Sequence, residues 1–417
     1  MKIINIILIL LFSINSEGQE PPILLTADRV FNGEEMIDNG MVLISDNKII
    51  QVSSDIDPPQ GCIRYDYGDA TIMPGMIEGH AHMLLHPYDE TPWNEQVLNE
   101  TVAERSIRGA IHAEKTLMAG FTTVRDLGSE GAGYADVGLK QSIEKGVING
   151  PRLIVAGPAI VTTGSYGPKG FREQVKVPLG AHAADGHDDL IKEVRRQIGG
   201  GADFIKVYAD YRWGPEEDAQ PTFTIDELKL IVEITESSGR KVVAHAATAE
   251  GIRRATEAGV VSIEHGDGGT PEVFQLMKEK GVALCPTIAA GDAISQYRGW
   301  NKRVDPDPER IIRKKASMKS AIESGVIIVA GGDVGVFSHG DNVRELEMMV
   351  EYGMTPEEVL KSVTSINADV FGISHQVGRI VEGLEADIIV VKGDPQNNIS
   401  NLREVKTVIK SGMVYKN

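Results

Sequence analysis

The chain changes character at residues 73–82, which read Met73-Pro74-Gly75-Met76-Ile77-Glu78-Gly79-His80-Ala81-His82. Before this stretch, short apolar runs such as 23–31 and 41–45 alternate with turn residues, which is typical of β-strands. After it, predicted strands alternate with predicted helices, which is typical of parallel βα units. The stretch itself supplies the first predicted strand of that array, at residues 76–83.

The βα array has the number of strands that a closed barrel needs. The predicted strands lie at 76–83, 122–127, 152–160, 204–209, 242–245, 262–265, 283–286 and 326–330. The predicted helices between them include 100–118, 188–198, 225–237, 249–258, 271–280 and 309–323. Eight βα units over roughly 290 residues predict an α/β fold of the (β/α)8 TIM-barrel type rather than an open doubly wound sheet.

The two ends of the chain have β character. The C-terminal segment, with strand-like runs at 386–391 and 405–410, is too short to build a stable sheet alone. Residues 19–73 and 373–417 are therefore predicted to form one small composite β-sandwich domain. The barrel is predicted to occupy residues 74–372.

The composition is that of an ordinary globular protein. The chain has 417 residues, 41% of them hydrophobic and 24% charged, and a formal net charge of −18. Such an acidic balance argues against a nucleic-acid partner, because binding to phosphates depends on Lys and Arg. The two cysteines, Cys62 and Cys285, form no disulfide framework, and the sequence leaves open whether they pair with each other.

Residues 1–18 have the pattern of an export signal. Lys2 gives the positive start, an apolar run covers 4–12, and Ser16-Glu17-Gly18 places small residues around a cleavage site near Gly18. The apolar run is too short to span a bilayer. We therefore predict a mature protein that is periplasmic or secreted, the alternatives being a buried N-terminal strand or an uncleaved anchor.

Residues that ligate metals occur where several predicted strands end. His80 and His82 lie two apart on the first strand, so both imidazoles point to the same face. His245 ends the fifth strand, His265 ends the sixth, and Asp333 follows the eighth. Barrels place their active sites at the C-terminal ends of the strands. The pattern therefore predicts a metal centre built from several strands.

Lys206 belongs to the fourth predicted strand, Phe204-Ile205-Lys206-Val207-Tyr208. A lysine that faces the interior is costly to bury as a cation, and burial lowers its pKa. The neutral amine can add carbon dioxide, and the resulting carbamate can bridge two cations. The alternative is an ion pair with Asp203 or Asp210; given the histidines, we favour the bridge.

At these motifs the sequence resembles the metal-dependent amidohydrolase superfamily, and within it the imidazolonepropionase-like branch of prolidase-type (Xaa-Pro or Xaa-Arg) dipeptidases. The motifs are the stretch 73–82, Thr122-Thr123-Val124-Arg125-Asp126, Phe204-Ile205-Lys206-Val207, Val243-Ala244-His245-Ala246, Ile263-Glu264-His265-Gly266, Ala330-Gly331-Gly332-Asp333, Gly378-Arg379-Ile380 and Leu384-Glu385-Ala386-Asp387-Ile388. The resemblance covers nearly the whole chain after the predicted signal.

The resemblance implies a binuclear centre of two divalent metal ions, usually zinc. One ion would be held by His80, His82 and Asp333, and the other by His245 and His265. An N6-carboxylated Lys206 and a hydroxide would lie between the ions, and Asp333 would act as general base and acid. A mononuclear site with three ligands and an open position is the alternative.

Substrate contacts are predicted on the loops that follow the strands. The loop after the third strand contains Gly164-Ser165-Tyr166-Gly167, where dipeptidase-like relatives commonly have Gly-Gly-His-Gly. Tyr166 and Tyr208 are candidate substrate contacts, with a barrel-core tyrosine as the alternative for Tyr208. Arg212 is a candidate for binding a substrate carboxylate, and His339 for lining the rim.

Together these observations predict a metal-dependent hydrolase of carbon–nitrogen bonds. The expected substrate is a small molecule, a dipeptide or an N-acyl amino acid, with no nucleic-acid partner and no membrane contact beyond the signal. Alternatives are hydrolysis of a cyclic amide or amidine, as in imidazolonepropionase or deaminase relatives, and a catalytically silent binding protein on the same fold. The sequence is compatible with a homo-oligomer.

Overall fold

The computed structural model of the protein describes residues 21–417, in which a ring of parallel strands is joined to two sheets made from the ends of the chain. The predicted export signal at residues 1–18 lies outside these residues and stays a prediction. Within residues 21–417, no helix combines the length and the apolar character that crossing a membrane requires.

The barrel strands pair in parallel and in chain order. They are Met76–Ala81, Phe121–Asp126, Arg152–Val155 continued by Ile160–Val161, Ile205–Tyr208, Val242–Ala246, Ser262–His265 and Ala283–Cys285. The eighth segment is attached by single bridges, from Ile328 to Leu284 and from Val334 to Ala81. Because the second bridge returns to the first strand, the ring closes as the predicted TIM barrel.

Two predicted strands differ from the structure. The third is split, because Gly157 turns its backbone to φ 71° and donates its N–H to Asp136 Oδ2 at 2.7 Å, and Pro158 has no N–H to donate. The eighth, predicted at 326–330, does not form a regular ladder. The side chain of Asn367 bonds there to both the N–H and the carbonyl of Ala330, at 3.1 and 2.9 Å.

Helices follow the barrel strands, close to their predicted positions. They are Trp93–Asn99, Val102–Met118, Ala135–Glu144, Gly186–Gly199, Ile225–Glu236, Ala249–Ala258, Pro271–Lys280, Ile288–Tyr297, Glu309–Ser324, Val343–Glu351, Pro356–Lys361 and Asn367–Val370, with a π-helix at Ser362–Ile366 and a 3-10 helix at Ile399–Arg403. The helix Ile225–Glu236 illustrates why these segments are helical. Thr224 and Glu227 form a capping box at its start, and one face of the helix buries Leu228 and Ile231.

The ends of the chain form two sheets beside the barrel. A four-stranded sheet contains Ile23–Thr26, Met41–Ser45, Lys48–Ser53 and Ile63–Asp66; a six-stranded sheet contains Arg29–Phe31, Met36–Asp38, Ala70–Pro74, Ile388–Lys392, Val405–Lys410 and Met413–Lys416. Ile388–Lys392 pairs antiparallel with Ala70–Pro74, so the N- and C-terminal segments share one sheet. The predicted composite β unit is confirmed.

The structure adds two short strand pairings and the state of the two cysteines. A hairpin of Asp210–Arg212 with Ala219–Pro221 follows the fourth barrel strand, and a two-residue strand, His182–Ala183, pairs with Ile160–Val161. Cys62 and Cys285 are both free thiols, which answers the question that the sequence left open.

Candidate metal centre

Four histidine rings meet at the C-terminal ends of three barrel strands. His80 and His82 lie on the same face of the first strand, with ring centroids 5.4 Å apart. The ring of His265 lies 5.1 Å from that of His80 and 4.4 Å from that of His245. The structure therefore brings together the four histidines that the spacing predicted would converge.

Asp333 adds a carboxylate to this cluster. Its Oδ1 atom lies 3.5 Å from His80 Nε2 and 3.4 Å from His82 Nε2. Potential ligand atoms of His80, His265 and Asp333 all lie within 4.8 Å of one another. Oδ1 is buried and receives no hydrogen bond from any of residues 21–417. A buried anionic oxygen without a donor, facing two imidazole nitrogens, fits a cation ligand.

The histidine rings are held with one nitrogen free for a cation. Nδ1 of His80 lies 3.0 Å from Glu264 Oε2, and Nδ1 of His82 lies 2.9 Å from the Gly128 carbonyl oxygen. A carbonyl or carboxylate oxygen only accepts, so each Nδ1 donates its proton and each Nε2 keeps a lone pair. Nδ1 of His265 contacts Thr287 Oγ1 at 2.8 Å, and this hydroxyl can either donate or accept.

Burial favours the neutral form of His80, His245 and His265, which is the form that metal ligation requires. Desolvation lowers the pKa of His80 and His265 well below the ordinary value. It lowers the pKa of His245 to about 3, with the nearby Lys206 as the next contribution. The Asp333 carboxyl has a raised pKa, mainly from burial and against the opposing effect of His82.

Lys206 is enclosed in the barrel without a counter-ion. Its side chain is 1% exposed, and burial lowers the pKa of its amine. The two carboxylates considered as partners are bound elsewhere: Asp203 by Lys140 at 2.7 Å, and Asp210 by the Ala247 N–H at 2.9 Å and by Thr248. Among residues 21–417 Lys206 forms no ion pair. The geometry therefore argues against the ion pair with Asp203 or Asp210 that the sequence offered as the alternative.

A wall of tyrosines begins at the metal centre. The Tyr208 ring stacks on His245 with centroids 4.6 Å apart, and Tyr166 lies 4.4 Å from Tyr208. Tyr211, on the hairpin, lies 4.8 Å from Tyr166 and 5.8 Å from His245. Tyr166 and Tyr208 are 8% and 6% exposed, so neighbouring residues cover most of both rings.

Two cations lie at the outer edge of this wall. The Arg212 guanidinium carbon lies 5.5 Å from the centroid of the Tyr211 ring. Lys169 bonds to the Gly164 carbonyl at 2.9 Å, and its pKa is lowered by partial burial and by the charge of Arg212. Lys169 and Arg212 therefore place two positive charges at this end of the wall, where the carboxylate of Glu217 acts on the pKa of Lys169 in the opposite direction.

Comparison with known proteins agrees with this geometry. Residues 71–414 match the model of the Amidohydrolase family. The chain belongs to the amidohydrolase family. Members are generally metal-dependent, in agreement with the ligand cluster of His80, His265 and Asp333. The chain is therefore a hydrolase of carbon–nitrogen bonds, as the sequence predicted.

Relatives within the amidohydrolase family cover almost the whole chain. Ochratoxinase from Aspergillus niger is 30% identical over 92% of this chain and 84% of its own length. A solved Xaa-Pro dipeptidase with methionine bound in its active site is 30% identical, with a TM-score of 0.83 over 95% of this chain and 100% of that one. Imidazolonepropionase from Geobacillus kaustophilus is 24% identical over 92% and 91% of the two chains.

This amidohydrolase has a buried charge network behind His80 that sequence reasoning missed. Glu264 contacts His80 Nδ1 through Oε2 and receives the Arg125 guanidinium on Oε1 at 2.9 Å. Arg125 also donates to the Gly79 carbonyl at 2.7 Å and to Ser262 Oγ at 3.0 Å. The available signal was a guanidinium and a carboxylate inside two predicted barrel strands, because charges are buried only when paired.

Glu264→Gln is expected to weaken metal binding at His80 by about 10- to 100-fold, the usual effect of removing the partner of a ligand histidine. The neutral amide makes His80 a weaker ligand and leaves Arg125 without its counter-ion. Competition with a coloured chelator measures the affinity on folded protein, and Glu257→Gln on an exposed helix face serves as control. Unchanged affinity would contradict the role assigned to Glu264.

Lys314 supports the sixth and seventh strand ends and was also missed. Its Nζ atom donates to the carbonyls of His265 and Pro286 at 2.7 and 2.6 Å and pairs with Asp267. His265 has a backbone φ of 76°, a left-handed conformation that is strained for a residue with a Cβ. Lys314 therefore helps to hold a ligand histidine in this conformation.

The prediction that His339 lines the rim requires correction. The residue is 6% exposed, its Nε2 bonds to the Leu85 carbonyl at 3.0 Å, and its ring stacks on His112 at 4.1 Å. His112 in turn bonds to the Met83 carbonyl at 2.9 Å. The enclosed pair supports the loop that follows His82 and presents no ring face to a substrate.

Proposed function

We propose that this amidohydrolase cleaves the amide bond of dipeptides or N-acyl amino acids, using two divalent metal ions, with zinc as the proposed metal. One observation carries the substrate class: the tyrosine wall runs from the ligand His245 to the cation pair Lys169 and Arg212. An amide whose carbonyl lies at the metal centre could then place a carboxylate between these cations.

Two cations would be held by the following residues in this proposal. His80, His82 and Asp333 would hold one ion, His245 and His265 would hold the other, and a carboxylated Lys206 would supply a further anionic ligand. Bound cations of this kind lower the pKa of water and polarise a carbonyl group. A centre with a single ion is distinguished by the number of metal ions per chain.

The chain's own residues supply proton transfer and positioning. The Asp333 carboxylate accepts a proton from the attacking water and delivers it to the leaving nitrogen. Its Oδ1 atom is available for this proton because it receives no hydrogen bond from any of residues 21–417. The wall of Tyr166, Tyr208 and Tyr211 holds the substrate against the centre and excludes water. Arg212 and Lys169 orient the carboxylate end.

The proposed function is tested with a substrate library and zinc-loaded protein. The library contains dipeptides, N-acyl amino acids, their C-terminally amidated counterparts and cyclic amides. Cleavage of substrates with a free carboxylate, and weak or no cleavage of amidated ones, supports the proposal. Turnover of cyclic amides alone would instead support the imidazolonepropionase-like alternative.

Arg212→Gln is expected to raise KM for carboxylate substrates so that kcat/KM falls by about 10- to 100-fold, the effect of one charged hydrogen bond. Amidated substrates should change little, since they lack the anion. Steady-state kinetics on a matched acid and amide pair measures the difference, and Arg172→Gln, an exposed arginine of the third loop, is the control. An equal loss on acid and amide would refute carboxylate binding by Arg212.

A further inference from the structure

Glu130 lies buried at the inner end of the tyrosine wall, in the loop after the second barrel strand. It is 2% exposed. Its Oε2 accepts hydrogen bonds from Trp93 Nε1 at 2.9 Å and from the Tyr166 hydroxyl at 2.8 Å. Its Oε1 faces the Tyr208 hydroxyl at 3.4 Å. A carboxylate only accepts hydrogen bonds, and all three groups around Glu130 can donate one.

These contacts determine where the phenol protons point. Tyr166 has one proton and gives it to Glu130. The Tyr208 proton is directed either to Glu130 or to the Tyr166 oxygen, which lies 3.3 Å away. A phenol has an ordinary pKa near 10, so both hydroxyls carry their protons at neutral pH. The Tyr208 oxygen therefore has lone pairs, and no proton, left for a substrate.

The carboxylate of Glu130 has no cationic partner of its own. Arg105, in the helix Val102–Met118, donates to the backbone carbonyls of Ser129 and Glu130, at 3.2 and 2.6 Å. No lysine or arginine of residues 21–417 forms an ion pair with the Glu130 carboxylate. His82 Nδ1 is 3.9 Å away but donates its proton to Gly128. The inner end of the wall thus combines the carboxylate of Glu130, hydrogen-bond acceptors and aromatic rings.

We propose that Glu130 and Tyr208, supported by Tyr166, form a subsite for the substrate's α-ammonium group. An ammonium has only donors, so it complements the Tyr208 lone pairs and Glu130 Oε1, and it is attracted to aromatic rings. The subsite lies beside His82 and His245, whereas Arg212 lies beyond Tyr211. This inference rests on the proposed function. It identifies dipeptides with a free N-terminus, rather than N-acyl amino acids, as the substrates.

The test uses pairs of substrates that differ only at the N-terminus, a dipeptide and its N-acetyl derivative. The wild-type enzyme should prefer the free dipeptide by about 10- to 100-fold in kcat/KM, the effect of a charged hydrogen bond. Glu130→Gln should remove most of this preference by loss on the free dipeptide alone. The amide can still accept from Trp93 and Tyr166, but it places an NH2 where the ammonium would bind.

Two further measurements separate recognition from folding. Tyr208→Phe, which removes the acceptor and keeps the ring on His245, should lower the same preference. Calorimetric binding of a free amino acid and its N-acetyl form to metal-free protein should show the preference without turnover. The control is Glu193→Gln, which changes another buried glutamate, 3% exposed and bound to Arg196. This variant should keep the preference for the free N-terminus.

The outcomes distinguish this inference from the proposed function. If N-acetyl substrates are cleaved as well as free dipeptides, the ammonium subsite is refuted while amide hydrolysis stands. If Glu130→Gln slows both members of a pair equally, Glu130 is a structural residue only and the inference fails. If neither member is cleaved by wild-type enzyme with its full metal content, the proposed function itself fails.

Discussion

Asp333→Asn is expected to lower kcat by about 10³-fold, within the range for loss of a general acid–base group. In the wild-type enzyme, Asp333 Oδ1 faces His80 and His82 and receives no hydrogen bond from any of residues 21–417, so it is free to accept a proton. The side-chain amide of asparagine cannot accept this proton. Asparagine is the informative replacement because it tolerates the left-handed backbone of Asp333, φ 60°. The fold should therefore remain while chemistry is lost.

The measurement is single-turnover kinetics on the best library substrate, with metal content determined on the same sample. Asp307→Asn, which changes an aspartate paired with Lys315, is the control and should match wild type. KM should change less than kcat, because the proton transfer occurs only during reaction. Turnover of Asp333→Asn near the wild-type rate would show that the chemistry has been assigned to the wrong residue.

Lys206→Met is expected to produce the second largest effect, a fall of at least about 10²-fold in kcat with loss of at least one metal ion per chain. Methionine has a similar length and fills the same buried space. The metal-free protein should be as stable as wild type or more so, because an amine that is 1% exposed and has no ion pair is removed. Metal content and stability should therefore change in opposite directions.

Metal analysis and thermal unfolding of the metal-free form check these expectations. Lys140→Met, which removes a lysine already paired with Asp203, should keep the wild-type metal content. Carboxylation of Lys206 predicts that wild-type protein recovers activity faster when metal is added with bicarbonate than in buffer depleted of carbon dioxide. Two tightly bound ions in Lys206→Met would refute the bridging role.

Much of the candidate metal centre could be predicted because its candidate ligands follow a simple rule of position. Parallel strands of a barrel end at one rim, so His82, His245 and His265 could be expected to converge from strand order alone. The two-residue spacing of His80 and His82 added that both face inward. The alternatives for Lys206 were not separable in this way, because the sequence does not show which aspartates already have partners.

The eighth strand and the substrate wall were harder to predict for a different reason. The side chain of Asn367, 37 residues further along the chain, bonds to the backbone of Ala330. These bonds take the place of a regular strand ladder. His339 was expected at the rim because it follows the eighth strand, yet it stacks on His112 from a distant helix. Contacts of this kind join segments that no periodic pattern relates, so local rules miss them.

The order of strands and the identity of the ligands were determined by the sequence itself, because hydrophobic periodicity and strand ends are local properties of the chain. Only the tertiary structure decided which groups support the candidate ligands and the tyrosine wall: Glu264 contacts His80, Lys314 contacts His265, and Glu130 contacts Tyr208. Each of these contacts depends on donor–acceptor distances across the barrel, and hydrogen bonds weaken steeply when distance or angle departs from the optimum.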